Sequence, residues 1–251
     1  MEREIHAYLR AVNARERESE RVGPFLATFS LRSPNPYLNY AIPDDDAEPA
    51  AADVLALTAA FRRRGLRPRL EYLPAAAPAV ERALVACGYA PEGRLTVMVV
   101  TPDEVRPAPA PAGFDLLEPR SDEELLALKI AQNEAYGDPA PDDRAIEGER
   151  AFLARGGLAV LARSAAGEAA GGGQCTAPEF GLREVGGVGV RERFRRRGLA
   201  HAITAALCER AFATGTSLLW LTPAGAAEER IYGRVGFRPV GEALHISQMD
   251  P

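Results

Sequence analysis

Lysine is nearly missing from this chain of 251 residues: Lys129 stands alone, and the other 29 basic side chains are arginine. That bias reads as genome composition before function. Cysteine and histidine are limited to three each. Cys87, Cys175 and Cys208 are odd in number and lack metal-ligand spacing, so they read as reduced thiols. His6, His201 and His245 are too scattered to suggest a metal site. No apolar run approaches the length of a membrane span. The opening Met1–His6 is charged and has no signal-peptide core. These absences lead us to expect a cytoplasmic protein with no metal and no membrane partner. The net charge of −5 argues against general nucleic-acid binding. No Gly-Lys-Ser/Thr phosphate loop is present, and Gly187-Val188-Gly189-Val190 lacks the third glycine of a dinucleotide fingerprint.

What is there is an ordinary globular composition, 47% hydrophobic, long enough for one large domain or two small ones. A Pro/Ala stretch from Thr101 to Ala112 reads as an extended linker. It divides the chain into residues 1–100 and 113–251. The C-terminal part gives an order of strand, two helices, three strands, helix, strand, helix, strand. Phe114–Glu118 opens it. Ser121–Glu124 is a capping box before Leu125 and Leu128. A second helix is expected over Asp142–Arg155, strands over 158–162, 173–176 and 182–190, a late helix over 226–235 and a final strand over Ala243–Met249. An α/β sandwich suits this order.

The segment from Val188 to Ala200 carries the chemistry. Val188 and Val190 alternate as the end of a strand. Five of the seven residues from Arg191 to Arg197 are arginine. Gly198-Leu199-Ala200-His201 then opens an apolar helix. A helix N-terminus presents unpaired N–H groups and partial positive charge, and a glycine lets the backbone approach a phosphate closely. The anion expected here is a pyrophosphate, for which the arginines must reverse the acidic field of the chain.

Arg195-x-x-Gly198-x-Ala200 resembles the acyl-CoA signature of the GNAT superfamily of N-acetyltransferases. Roughly thirty residues on, Tyr232 stands four residues before Gly236-Phe237, which is similar to that family's late helix. The resemblance covers 113–251 fully and the first hundred residues in outline. It implies a GNAT-like acyl-CoA N-acyltransferase fold, and transfer of an acetyl group from acetyl-CoA to a primary amine of a small molecule or peptide by direct attack. It implies that Val188, Gly189, Val190, Arg195, Arg196, Arg197, Gly198, Leu199 and Ala200 hold the CoA, with His201 either meeting a phosphate or facing water. Arg191 and Arg193 either touch phosphates or are solvated. Tyr232 becomes the group serving the leaving thiolate, or else a packing tyrosine. Glu184, four residues before Val188, is the matching position for a strand-borne general base, or else a surface carboxylate. Strict alternation sets Glu184, Gly186, Val188 and Val190 on one face unless a bulge intervenes. One departure is Gly225, where the family often has asparagine. The alternative is an acyl-CoA-binding module without catalysis.

The N-terminal part repeats the second half of this pattern. Arg69–Pro74 parallels Leu218–Pro223, and Glu81–Tyr89 parallels Glu229–Phe237. It reads as a shortened, degenerate GNAT-like domain, or else as two unrelated αβ segments. Asp44, Asp45, Asp46 and Glu48 occupy its phosphate-loop position, and Leu84 its tyrosine position. One acetyl-CoA per chain is therefore expected, in the C-terminal half. Phe61–Leu66 mimics the CoA motif but follows its helix, as C-terminal capping would.

Overall fold

The computed structural model describes residues 1–31, 34–142 and 144–248. They form two compact units: Met1–Val97 with the chain from Pro239 on, and Met98–Arg238. The C-terminal element order follows the expected α/β alternation. The units divide the chain differently from the linker-based split, and the two ends of the second half explain why.

The first unit contains α1 (Glu2–Glu16), β1 (Glu18–Val22), β2 (Phe25–Phe29), β3 (Tyr40–Pro43), α2 (Ala51–Arg62), β4 (Arg69–Tyr72), α3 (Val80–Ala86), most of β5 (Tyr89–Val100) and most of β11 (Arg238–Gln248). Its strands lie in the order β1-β2-β3-β4-β11-β5. The final strand, expected with the C-terminal half, pairs antiparallel with β4 through Leu244↔Tyr72 and Ile246↔Leu70. Leu244 and Ile246 are fully buried in this unit's core with Phe25, Leu57, Phe61 and Leu70. Burying such side chains is worth about 1.5–3 kcal/mol each, which fixes where the strand belongs. Met249, included in the expected strand, lies outside the described residues, as does Asp143 of the expected second helix.

Leu84 sits in the same core, fully buried, with no polar group to offer. The acidic loop is not an open negative patch. Arg3 makes a bidentate pair with Asp46 at 2.6 and 2.7 Å, Arg10 pairs with Asp45 at 2.7 Å, and Arg21 pairs with Asp44. His6 adds an Nδ1 contact to Asp45 at 2.7 Å. Burial holds the His6 imidazole down to about 4 against the pull of Asp45. The loop's aspartates are therefore committed to α1 and β1.

The second unit holds β6 (Phe114–Leu117), α4 (Asp122–Tyr136), α5 (Ala145–Ala154), β7 (Leu158–Ser164), β8 (Ala169–Cys175), β9 (Leu182–Val190), α6 (Leu199–Ala213), β10 (Leu218–Leu221) and α7 (Ala226–Val235). Its sheet runs β6-β7-β8-β9-β10, then the Met98–Val100 end of β5. Ser121 caps α4, its Oγ accepting from the Glu124 N–H at 3.2 Å, and Gly137 closes the helix in the left-handed region. Helix α6 buries residues around most of its circumference, as a helix enclosed by its unit must. Cys175 and Cys208 lie in this core, and burial pushes the Cys175 thiol up to about 12, so both are inert packing groups.

The Pro/Ala stretch is no free linker. Val105 and Ala108 pack on the second unit's core, and the Arg106 N–H donates to the Val235 carbonyl at 2.8 Å. Arg238 Nε donates to Glu104 at 2.8 Å. Gly236, with φ of 119°, lies against the Glu104 backbone, where a Cβ would come within 3.0 Å of the Glu104 carbonyl carbon. Residues 101–112 thus brace the end of α7, the helix that carries Tyr232.

Candidate active site

Strand β9 is where the site begins. It pairs in parallel with β10 only over Leu182–Glu184 and Leu218–Trp220. Beyond Glu184 its backbone keeps β8 on one side and, among the described residues, has no paired strand on the other. Its pairing with β8 runs Gly172↔Gly189 and then Gln174↔Gly186, so one extra residue sits on β9. That is a β-bulge, and Gly187 takes it in the left-handed region at φ 60°.

The bulge breaks the expected alternation. Val185, Val188 and Val190 all face the α6 side, where Val188 Cγ2 lies beside Ile203 and Leu207 around Gly173. Glu184 is on the opposite face from Val185, with Gly186. No atom comes within 4 Å of the place where a Gly186 Cβ would sit, so a half-buried carboxylate adjoins open space. The Glu184 backbone is anchored: its N–H donates to Thr176 Oγ1 at 2.8 Å and its carbonyl accepts from the Thr176 N–H at 2.9 Å. The neighbouring Arg183 is buried and donates to Thr216 Oγ1 and to the carbonyls of Gly156 and Thr176 at 2.6–2.9 Å.

The arginine loop sorts into two groups. Arg191 is bidentate to Glu134 at 2.6 Å and donates to the Ala169 carbonyl at 2.9 Å. Arg193 pairs with Glu168. Arg195 turns inward, donating to the Val190 carbonyl at 3.1 Å and the Ala135 carbonyl at 3.0 Å. These three clamp the loop to β9, α4 and the β7–β8 turn. Arg196 and Arg197 make no hydrogen bond or ion pair with the described residues; Arg197 lies over the Phe114 and Phe194 rings at 5.9 and 5.8 Å. Arg196 has φ 61° and Gly198 φ 82°, so the backbone bends twice into the left-handed region before α6. Such a turn gathers N–H groups into an anion-binding concavity. Leu199 is 1% exposed, so its side chain belongs to the core and only its backbone is left for a ligand to meet. His201 is neither an open surface group nor hydrogen-bonded: its Nε2 is buried without a partner among the described residues.

This sorting predicts different phenotypes. Arg196→Ala and Arg197→Ala should each weaken acetyl-CoA binding about tenfold and flatten its salt dependence. Arg191→Ala should lower Tm by about 2–4 °C while affinity stays within threefold. Calorimetry at two ionic strengths and a thermal melt separate them; the reverse assignment would show as affinity lost in Arg191→Ala alone.

Tyr232 lies half-buried on α7, its ring 6.1 Å from that of Phe237. Its hydroxyl has no hydrogen-bond partner among the described residues. Val188, Val190, Phe194 and Tyr232 all pack on one core cluster that contains Leu199. Burial, with added repulsion from Tyr136 and Glu228, holds the Tyr232 phenol well above its ordinary value. Tyr136, which the motifs did not single out, donates its hydroxyl to the Val188 carbonyl at 3.1 Å. Gln132, one turn earlier on α4, donates to the Gly187 carbonyl at 2.8 Å. A polar residue on the buried stripe of Leu125, Leu128 and Ala131 was the one available signal for it.

Residues 125–237 match the model of the acetyltransferase (GNAT) family. The chain is similar to a GCN5-related N-acetyltransferase from Kribbella flavida, at 26% identity and TM-score 0.84, covering all of this chain and 96% of that one. A GCN5-related N-acetyltransferase from Sphaerobacter thermophilus shares the fold at 21% identity and TM-score 0.67, over 91% of this chain and 78% of that one. A tandem GNAT protein from the clavulanic acid biosynthesis pathway does so at 15% identity and TM-score 0.65, over 90% and 79%. No curated protein matches the sequence. Residues 125–237 therefore form a GNAT acetyltransferase domain, of the acyltransferase class. Among the described residues no helix is long and apolar enough to cross a membrane.

Proposed function

We propose that the second unit transfers an acetyl group from acetyl-CoA to a primary amine of a small molecule or peptide. The observation that carries this reading is the edge of β9 beyond Glu184, which no strand pairs among the described residues, leading directly into a loop with two arginines that make no ion pair there. A pantetheine arm would lie along Val188–Val190 like an added strand. Its diphosphate would meet the N–H groups of residues 196–200 with Arg196 and Arg197.

The amine nitrogen would attack the thioester carbon directly. As the C–N bond forms, the carbonyl oxygen takes up charge, and the Val188 N–H is the donor for it. The C–S bond then breaks, the electron pair leaving on sulfur, which the Tyr232 hydroxyl would meet. Glu184 would receive the amine proton, directly or through a water in the open space beside Gly186. Holding both substrates together supplies much of the rate by positioning. One acetyl-CoA per chain is the stoichiometry that this reading requires.

The test is release of free thiol from acetyl-CoA with a panel of primary amines. Release that depends on one amine, with the acetylated product seen by mass spectrometry, supports transfer. Tight acetyl-CoA binding with no amine-dependent release across a broad panel would favour a binding module. Glu184→Gln should depress the rate most at low pH, where an ammonium must lose its proton; an unaltered pH–rate profile removes Glu184 from the mechanism.

A further inference from the structure

Behind the β9 bulge runs a chain of side-chain amides whose direction chemistry dictates. Glu149, on α5, is 8% exposed and accepts from Gln174 Nε2 at 2.5 Å. Lys129, the one lysine, lies 3.6 Å from the same carboxylate. Because Gln174 must turn its nitrogen to a carboxylate, its Oε1 faces the other way. There it meets Gln132 Nε2 at 3.4 Å. That same nitrogen donates to the Gly187 carbonyl at 2.8 Å. Gln132 is 4% exposed, and only its nitrogen can face two oxygens, so its orientation is settled as well.

The Gly187 carbonyl belongs to the same peptide unit as the Val188 N–H. In a planar trans peptide the two point in opposite directions. Whatever holds the Gly187 oxygen therefore aims the Val188 hydrogen. Elsewhere on β9 the ladder with β8 performs that task, but at the bulge the register slips and Gln132 takes it over. A Cβ on Gly187 would come within 2.7 Å of Gln132 Nε2, so the glycine also makes room for the contact. Tyr136, four residues on, holds the next carbonyl, that of Val188, and Gly189 lets α4 come this close: its Cβ would lie 2.9 Å from that of Ala135. Hydrogen bonds in such a chain polarise one another, so the carboxylate end strengthens donation at the bulge end.

We infer that Gln132 is a positioning residue for acyl transfer: backed by Gln174, Glu149 and Lys129, it pins the Gly187–Val188 peptide so that the Val188 N–H is aimed at the thioester oxygen. This rests on the acyl-transfer reading above. It assigns to α4 a part in the chemistry without contact to either substrate.

The readout is the carbonyl stretch of acetyl-CoA labelled with carbon-13 at the carbonyl, bound to the full chain and followed by difference infrared spectroscopy. In the wild type the band should shift to lower frequency than in free acetyl-CoA. In Gln132→Leu at least half of that shift should vanish, with acetyl-CoA affinity within threefold of wild type by calorimetry. The kcat should fall about ten- to thirtyfold, less than the loss of a whole oxyanion donor. Gln132→Glu supplies a second variant. A carboxyl there donates to the Gly187 carbonyl only when protonated, so its activity relative to wild type should recover as pH falls. A full shift and full kcat in Gln132→Leu would overturn the role of Gln132 alone. A bound wild type that shows no shift would overturn the Val188 donor, and the inference with it.

Discussion

Gly198→Asp should lose acetyl-CoA affinity by about a hundredfold or more while keeping its fold. The position separates the two effects unusually well. Gly198 is the N-cap of α6 at φ 82°, and a Cβ there would find Pro111 Cγ at 3.8 Å, an ordinary contact. Aspartate tolerates the left-handed region better than most residues and is a favourable N-cap. Folding should therefore change little. A carboxylate about 5 Å from a phosphate, at an effective dielectric constant near 20, costs about 3 kcal/mol, which is about 150-fold in affinity. Gly198→Asn has the same shape without the charge and should stay within about tenfold of wild type. Thermal melts and calorimetric titration of both variants decide it. Equal affinity in Gly198→Asp and wild type would remove the diphosphate from this loop.

Tyr232→Phe should lower kcat by about thirty- to a hundredfold and leave the KM for acetyl-CoA nearly unchanged. A hydrogen bond to a charged group is worth about 1.5–3 kcal/mol, and this one forms only as the thiolate departs. Stability should hardly move, because the hydroxyl has no partner among the described residues to lose. The state of the phenol decides how the group would act. At ordinary values a phenol near 10 and a thiol near 8.5 make proton transfer about 2 kcal/mol uphill, which a lowered phenol would ease. Burial raises this phenol instead. On the proposed mechanism Tyr232 would then serve as a hydrogen-bond donor to sulfur before it serves as an acid, and it would stay protonated above pH 10. On its alkaline side the kcat profile should consequently show no fall up to about pH 10. A fall near pH 9–10 that disappears in Tyr232→Phe would show that the phenol ionises there.

Local signals carried much of this molecule. The Ser121 capping box, the β9–loop–α6 sequence and the helix bearing Tyr232 all rest on spacing within a few residues, and the structure places those elements where the spacing put them. What depends on distant partners was not legible. Glu18–Val22 has no apolar alternation, and it becomes a strand because it pairs with Phe25–Phe29. The closing strand has the right pattern for a strand, but no local residue says which sheet receives it. Two adjacent glycines, Gly186 and Gly187, allow a bulge at either or at neither. Arginines announce charge, not destination: Arg195 carries the family's motif position, yet its guanidinium serves the protein's own carbonyls. Gln132 is locally just a polar residue in an apolar stripe, and its partner, the Gly187 carbonyl, lies 55 residues further along the chain.

A crystal structure of the chain with CoA bound would test the central claim most directly. The account predicts one CoA per chain, in the second unit. Its pantetheine should lie along Val188–Val190 and its diphosphate on the N–H groups of residues 196–200, beside Arg196 and Arg197. Its sulfur should come within about 3.5 Å of the Tyr232 hydroxyl, hydrogen-bonding distance for sulfur. A CoA held by the first unit, or a sulfur remote from both Tyr232 and the Gly187 bulge, would contradict it.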